Sequence, residues 1–238
     1  MAQDLIYTKL SNILNDVNSV MFPRLCFGCN ARLYRGEQIL CTFCRNQLPL
    51  TEYSFNEENA VDRIFYGRTD IKKASSFMFY YENGVVQNLI HHLKYKNQSQ
   101  IGEFIGDWYG SILSNNGELE DIDCIIPVPL HRKKLKSRGY NQVSLFAEKL
   151  AKHLDAEYLP DVLLKTANTK TQTRKRRISR GHQNSELYVL KNTSVLSNRK
   201  LLLVDDVITT GGTIEACANA LLNSPNVQIS VSSMAVVL

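Results

Sequence analysis

Four apolar residues, Leu201 to Val204, run directly into two carboxylates, Asp205 and Asp206, and then, past Val207 and Ile208, into the turn Thr209-Thr-Gly-Gly-Thr213. An unbroken apolar run predicts a strand buried on both faces, as in a parallel sheet covered by helices. Apolar spacing from Ile214 to Leu222 predicts a helix behind the turn. Ligands of open parallel sheets bind outside the carboxyl ends of the strands. A glycine-containing turn offers backbone N–H groups, and the helix behind it adds the positive end of its dipole. Gly211 and Gly212 let the backbone approach a ligand closely, and Thr209, Thr210 and Thr213 add hydroxyl donors. The stretch therefore predicts a phosphate site. No Gly-Lys-Ser/Thr ends it, which excludes a Walker loop.

A phosphate dianion does not favour two carboxylates as neighbours. Asp205 and Asp206 instead predict hydroxyl groups beside the phosphate, such as the hydroxyl pair of a ribose. At these residues the stretch resembles the 5-phosphoribosyl-1-diphosphate (PRPP) signature of type I phosphoribosyltransferases, a hydrophobic strand followed by an acidic pair and a Thr-rich glycine loop. The resemblance implies that Val207, Thr209, Thr210, Gly211, Gly212 and Thr213 hold the phosphate. It also implies that Asp205 and Asp206 act on the ribose and that Mg²⁺ accompanies PRPP. The plainer reading, a strand running through an Asx-type turn into a helix, explains the turn but not the ordered run.

A second buried strand is predicted from Cys124 to Pro129, where Pro127 and Pro129 keep its end extended. The basic turn Leu130-His-Arg-Lys-Lys-Leu-Lys-Ser-Arg-Gly-Tyr-Asn-Gln142 follows, and then an amphipathic helix to about Leu154. A basic, glycine-containing turn between strand and helix is again an anion site. PRPP carries a diphosphate at its other end, and Leu130, His131, Arg132 and Arg138 are the candidate residues for it. Pro127-Val-Pro-Leu-His131 followed by Arg138-Gly-Tyr-Asn-Gln142 is similar to the ComF family of bacterial proteins, with Tyr140 where that family usually has Phe. The resemblance implies a type I phosphoribosyltransferase fold, an N-terminal four-cysteine zinc module and a link to competence for DNA uptake.

That module has its own signal here. Cys26-Phe-Gly-Cys29 and Cys41-Thr-Phe-Cys44 are two C-x2-C knuckles separated by eleven residues. Such spacing predicts a structural tetrathiolate zinc site, with no position left open for a catalytic water. Disulfides fit poorly with a chain in which no export signal is read, and an iron–sulfur cluster lacks its usual local run of cysteines. Cys124 and Cys217 fall in apolar patterns and read as inert core thiols. Arg24, Arg32, Arg35 and Arg45, with Phe27, Tyr34 and Phe43, suit a nucleic-acid strand by charge and stacking. They suit equally well a plain covering for the metal.

The remaining stretches frame these motifs. Helical spacing of Leu5, Ile6, Leu10, Ile13, Leu14, Val17 and Met21 predicts an amphipathic helix over residues 3–20 that docks onto the body of the protein. Residues 49–60 read as a linker, which places a zinc module at 1–60 and an α/β domain with a mostly parallel sheet at 61–238. Within the latter, a strand is predicted at 74–81, a helix at 85–96, a second helix at 101–113 and a last strand at 227–238. The helices at 85–113 carry no catalytic motif and read as a roof. His91 and His92 are adjacent and point apart on a helix, so they do not suggest a metal site.

Charge is the last clue. The net charge of +5 is concentrated in two acid-free runs, five Lys or Arg between His131 and Ala147 and seven between Val162 and Ser185. The rest of the chain is net negative. Local basicity predicts anionic ligands at defined surfaces. The run 168–184 is Thr-rich and reads as a loop. By the family resemblance, Lys170 or Arg174 would clamp the leaving diphosphate, while a basic patch for single-stranded DNA is the competing reading. The expected protein is cytoplasmic and PRPP-binding, with zinc and Mg²⁺ as ions. Its expected partners are single-stranded DNA and other competence or DNA-processing proteins. The alternative is a non-enzymatic DNA-handling factor that retains the fold.

Overall fold

The computed structural model describes residues 23–166, 187–191 and 194–238. The N-terminal helix expected at 3–20 and most of the basic loop, with Lys170 and Arg174, lie outside the described residues. The chain divides into two compact units, Met1–Leu48 and Pro49–Leu238.

In the first unit, the described residues form a metal-knuckle fold. Leu25 and Arg32 make an antiparallel bridge, and the Cys26 N–H donates to the Ala31 carbonyl at 2.8 Å. The turn between them passes through Asn30 with φ +61°. A one-turn helix, α1 (Thr42–Asn46), starts at Cys41, whose sulfur accepts the Cys44 N–H. Leu33, Ile39, Leu40 and Leu48 are the buried aliphatic residues, too few to supply the stability of a domain by apolar burial alone.

The second unit is an α/β sheet protein. Its elements are α2 (Ala60–Arg63), β1 (Lys73–Phe79), α3 (Val85–Tyr95), α4 (Gln100–Asn115), β2 (Cys124–Pro127), α5 (Arg132–Arg138), α6 (Ser144–His153), β3 (Glu157–Tyr158), β4 (Leu163–Lys165), β5 (Tyr188–Leu190), β6 (Lys200–Ile208), α7 (Gly212–Leu221) and β7 (Gln228–Val236). Strands β1-β7-β6-β2-β3 form one sheet in that order, and every pair in it is parallel. Strand β6 is central, with Cys124 opposite Leu201 and Ser233 opposite Asp205. Leu201 to Val204 are fully buried, as a strand covered on both faces requires. A separate antiparallel hairpin, β4-β5, was not anticipated from the sequence.

Residues 49–60 are not a linker. Phe79 N–H donates to Pro49 O at 2.8 Å, and Thr51 N–H donates to Phe77 O at 3.0 Å. Leu50 bridges Met78, so the segment lies against β1. Asn59 caps α2 in a capping box with Asp62, and both are buried. Turn-forming polar residues suggested a linker, but here they satisfy an edge strand and a helix start.

Helices α4 and α6 pack closely because α4 presents Gly106 to its neighbour. A Cβ at Gly106 would stand 2.8 Å from the Phe146 carbonyl oxygen and 2.9 Å from Lys149 Cβ. Backbone cannot yield there as a flexible side chain would. Gly106→Val should destabilise the chain by about 3 kcal/mol, read from urea unfolding midpoints. A loss under about 0.5 kcal/mol would contradict this packing account.

Candidate functional site

Asp205 and Asp206 lie near the carboxyl end of β6 at 8% and 5% exposure. Two carboxylates so placed need compensation. Lys94 at the end of α3 puts its Nζ 2.8 Å from Asp206 Oδ1. Gln142 donates from Nε2 to Asp206 Oδ2 at 2.6 Å. The Asp206 N–H donates to Asp205 Oδ1 at 2.8 Å. Burial, then the Asp206 charge, pushes the Asp205 carboxyl up to about 8, against the pull of that N–H and of Lys94 and Lys165.

The Arg138-Gly-Tyr-Asn-Gln142 motif ties the surrounding segments to this pair. Arg138 Nη1 donates to Gln142 Oε1, so the guanidinium acts on Asp206 through an amide relay. Its guanidinium carbon also stands 5.8 Å from the centre of the Tyr95 ring. Tyr140 donates its hydroxyl to the Leu93 carbonyl. Asn141 donates to the Val128 carbonyl at 3.0 Å, and its side-chain oxygen accepts the Val143 N–H at 3.3 Å.

The basic segment before this motif differs from the expected turn. Arg132–Arg138 is a helix, N-capped by His131, whose Nδ1 accepts the Lys133 N–H at 3.2 Å. It ends at Gly139, which has φ +84°. Lys, Arg and Leu form helices readily, and cations suit its last turn. Gly139 is thus a helix C-cap rather than part of a phosphate cradle. Leu130 and His131 are half-buried, and Arg132 is exposed. Lys133, Lys134, Ser137 and Arg138 line a cleft of about 600 Å³ together with Lys94 and Tyr95.

The turn after β6 matches its prediction in shape. Thr209, Thr210, Gly212 and Thr213 are exposed, Val207 is half-buried, and Gly211 is buried with φ +75°. A Cβ at Gly211 would meet Ile64 Cγ2 at 2.8 Å and Phe65 Cε1 at 2.9 Å, so the turn seats on the end of α2. Arg68 pins it, donating to Thr210 O at 2.6 Å and pairing with Glu215 at 2.6 Å. Gly211 makes no side-chain cap on α7. No side chain thus covers the first N–H groups of that helix at the turn.

Lys165 and Tyr188 stand on the β4-β5 hairpin. Lys165 Nζ is 2.7 Å from the Tyr188 hydroxyl and 4.8 Å from its ring centre. Burial lowers the Lys165 amine, opposed in part by the Asp205 charge, and burial raises the Tyr188 phenol. Sequence reasoning did not single out Lys94, Gln142, Arg68 or Lys165 as site residues. Gln142 stood inside a motif already noticed. For the other three, charge was the only signal, and each finds its partner far along the chain.

In the first unit, the sulfurs of Cys26, Cys29, Cys41 and Cys44 all lie within 4.8 Å of one another. Cys29 and Cys41 sulfurs are 3.7 Å apart, close to the edge of about 3.8 Å for a tetrahedron with Zn–S bonds of about 2.3 Å. All six cysteines are free thiols. Burial opposes ionisation of Cys26, but N–H groups of Cys41, Cys29 and Gly28 outweigh it and lower the thiol to about 7. Burial and then the thiols of Cys29, Cys41 and Cys26 push Cys44 up. Cys26 thus ionises more readily than Cys44, which a cation among the sulfurs would help to ionise. This donor set fits a small zinc module.

The pH response of the acid pair has a definite sign. A carboxyl raised from 3.8 to about 8 holds a proton in the folded chain that the unfolded chain releases. Stability should therefore fall as pH rises across that window and level off above it. Chemical denaturation at a series of pH values reads this directly. An Asp205→Asn variant should lose the downward slope, and an unchanged slope would contradict it.

A parallel sheet with a carboxylate pair and a phosphate-type turn at the end of its central strand defines a phosphoribosyltransferase-like α/β protein. Residues 144–237 match the phosphoribosyl transferase domain family. Competence protein F of Haemophilus influenzae is 26% identical over 210 residues, covering 82% of this chain and 90% of that one. Competence protein ComFC of Bacillus subtilis is 22% identical, covering 90% of this chain and 84% of that one. DNA utilization protein YhgH of Escherichia coli strain K12 is 29% identical, covering 60% of this chain and 63% of that one. These likenesses support a ComF-family, phosphoribosyltransferase-like protein.

Proposed function

We propose that this chain binds PRPP at the carboxyl end of β6 and works in DNA uptake, handling single-stranded DNA in the cytoplasm. The observation that carries the PRPP reading is the buried, compensated acid pair beside an open phosphate-type turn. Asp205 and Asp206 accept the ribose hydroxyls on the lone pairs that Lys94, Gln142 and the Asp206 N–H leave free. Thr209, Thr210, Gly211, Gly212 and Thr213, next to Val207, hold the phosphate. Leu130, His131, Arg132 and Arg138 face the diphosphate, and Lys170 and Arg174 clamp it as it leaves. Mg²⁺, when bound with PRPP, offsets the diphosphate charge. The acid pair then favours positive charge developing at the anomeric carbon.

Titration with PRPP and Mg²⁺, followed by diphosphate release across a panel of acceptors, tests this reading. Binding with turnover makes the protein a phosphoribosyltransferase. Binding without turnover across the panel favours the non-enzymatic DNA-handling factor, and absence of binding refutes the PRPP reading.

The DNA part of the reading is supported by the relatives' names and by exposed Arg132, Lys133, Lys134 and Lys136. No described helix is long and apolar enough to cross a membrane. Affinity for a single-stranded oligonucleotide should fall steeply with salt, since phosphate contacts release counterions. Changing both Lys133 and Lys134 to Glu should flatten the log–log slope by about 1.4. A slope unaffected by the double change removes this helix from the DNA surface.

A further inference from the structure

The turn after β6 is braced from behind, and the brace sets which way one of its peptide groups faces. It starts at the sheet edge. Asp62 on α2 accepts the Ala74 N–H of β1 at 2.6 Å, and Asn59 donates to the Ala74 carbonyl at 2.9 Å. These bonds fix α2 to that strand. Arg68 carries the connection onward. Its Nη1 donates to the Ile64 carbonyl at 3.0 Å, at the end of α2, and to the Thr210 carbonyl at 2.6 Å. Its Nη2 donates to Glu215 Oε2 on α7 at 2.6 Å. Thr69 adds a second tie, with Oγ1 2.9 Å from Asn219 Oδ1 on the same helix. One guanidinium thus joins α2, the turn and the start of α7.

We infer that Arg68 is a positioning residue, which aims the Gly211 N–H at the ligand's phosphate without touching the ligand. The inference rests on the PRPP reading and deepens it by naming what orients the phosphate-holding turn. Across a trans peptide, a carbonyl and the N–H that follows it point in opposite directions, and no described peptide bond is cis. Drawing the Thr210 carbonyl toward Arg68 therefore turns the Gly211 N–H away from the guanidinium. An N–H aimed in advance needs no reorganisation when an anion arrives. Glycine at 211 keeps the contact open, since a Cβ there would stand 3.3 Å from Arg68 Nη1 as well as against Ile64 and Phe65.

A direct grip on the phosphate by Arg68 fits these contacts poorly. Both N–H groups of Nη1 are committed to carbonyls. The charge is met by Glu215, and a carboxylate beside the guanidinium repels a phosphate dianion. A lysine could supply the charge, but only the fork of an arginine reaches two carbonyls and a carboxylate at once.

The test uses the full chain with PRPP and Mg²⁺. Arg68→Met should weaken PRPP binding by about tenfold or more in calorimetry, the worth of one hydrogen bond to a charged group. Arg68→Lys restores the charge without the fork and should still bind about fivefold or more weaker than the unsubstituted chain. In amide-resolved NMR, PRPP should shift the Gly211 N–H of the unsubstituted chain, and that shift should be lost in both variants while the β6 resonances stay in place. Where Arg68→Met does not fold, Arg68→Lys and the Gly211 resonance carry the test. Unchanged affinity in the variants, full recovery with lysine, or a Gly211 N–H that ignores PRPP in the unsubstituted chain would overturn this inference alone. If PRPP fails to bind the unsubstituted chain, the PRPP reading falls and this inference falls with it.

Discussion

Changing Asp205 and Asp206 together to Asn should reduce PRPP affinity, measured above about pH 8 where the Asp205 carboxyl is ionised, by about 100-fold or more, because each charged acceptor contributes about 1.5 kcal/mol or more. The double change keeps side-chain shape and removes two buried charges. It also relieves Asp205 of its unfavourable burial, so the folded state should be no less stable above neutral pH. Loss of binding without loss of stability separates a ligand-binding role from a structural one. Lys94 is the complication, since its amine would lose its carboxylate partner. A triple variant that adds Lys94→Met removes the stranded cation, and its PRPP affinity should remain as low. Calorimetry and urea unfolding on the same preparations measure both effects. Affinity within about twofold of the unsubstituted chain would refute the assignment of the pair.

The second large effect concerns the metal. The described part of the first unit has four buried aliphatic residues and one short helix. Metal ligation should supply most of its folding free energy, which for structural zinc sites is about 10 kcal/mol or more. Cys44 shows the size of the demand, since burial and three thiol neighbours hold it protonated when no cation is present. Chelation, or Cys44→Ser, should collapse amide-proton dispersion for residues 23–48 and leave metal content well below one per chain. Native-like chemical shifts in that segment after chelation would contradict a metal-built fold.

The parts of this fold that follow local rules were legible from sequence. Leu201 to Val204 announce a doubly covered strand, and the knuckle spacing of Cys26, Cys29, Cys41 and Cys44 announces a four-sulfur cluster. The helices over Val85–Tyr95 and Gln100–Asn115 follow from apolar spacing. What failed depends on partners distant in the chain. Lys94 looked like a helix C-terminal cation, and only the fold brings it to Asp206. Gly139 looked like a phosphate-loop glycine because it follows a basic run, whereas it terminates a helix that the run itself forms. Residues 49–60 looked like a linker because polar turn formers carry the same local signal whether they edge a sheet or span a gap. Arg68 gave no local signal, yet it fixes the turn that would hold a phosphate.

The most direct measurement is a crystal structure of the chain soaked with PRPP and Mg²⁺. Density should place the ribose hydroxyls about 3 Å from the carboxylate oxygens of Asp205 and Asp206. The phosphate should sit on the backbone N–H groups between Thr209 and Thr213. Density elsewhere on the protein, or a sugar turned away from both carboxylates, would contradict the account.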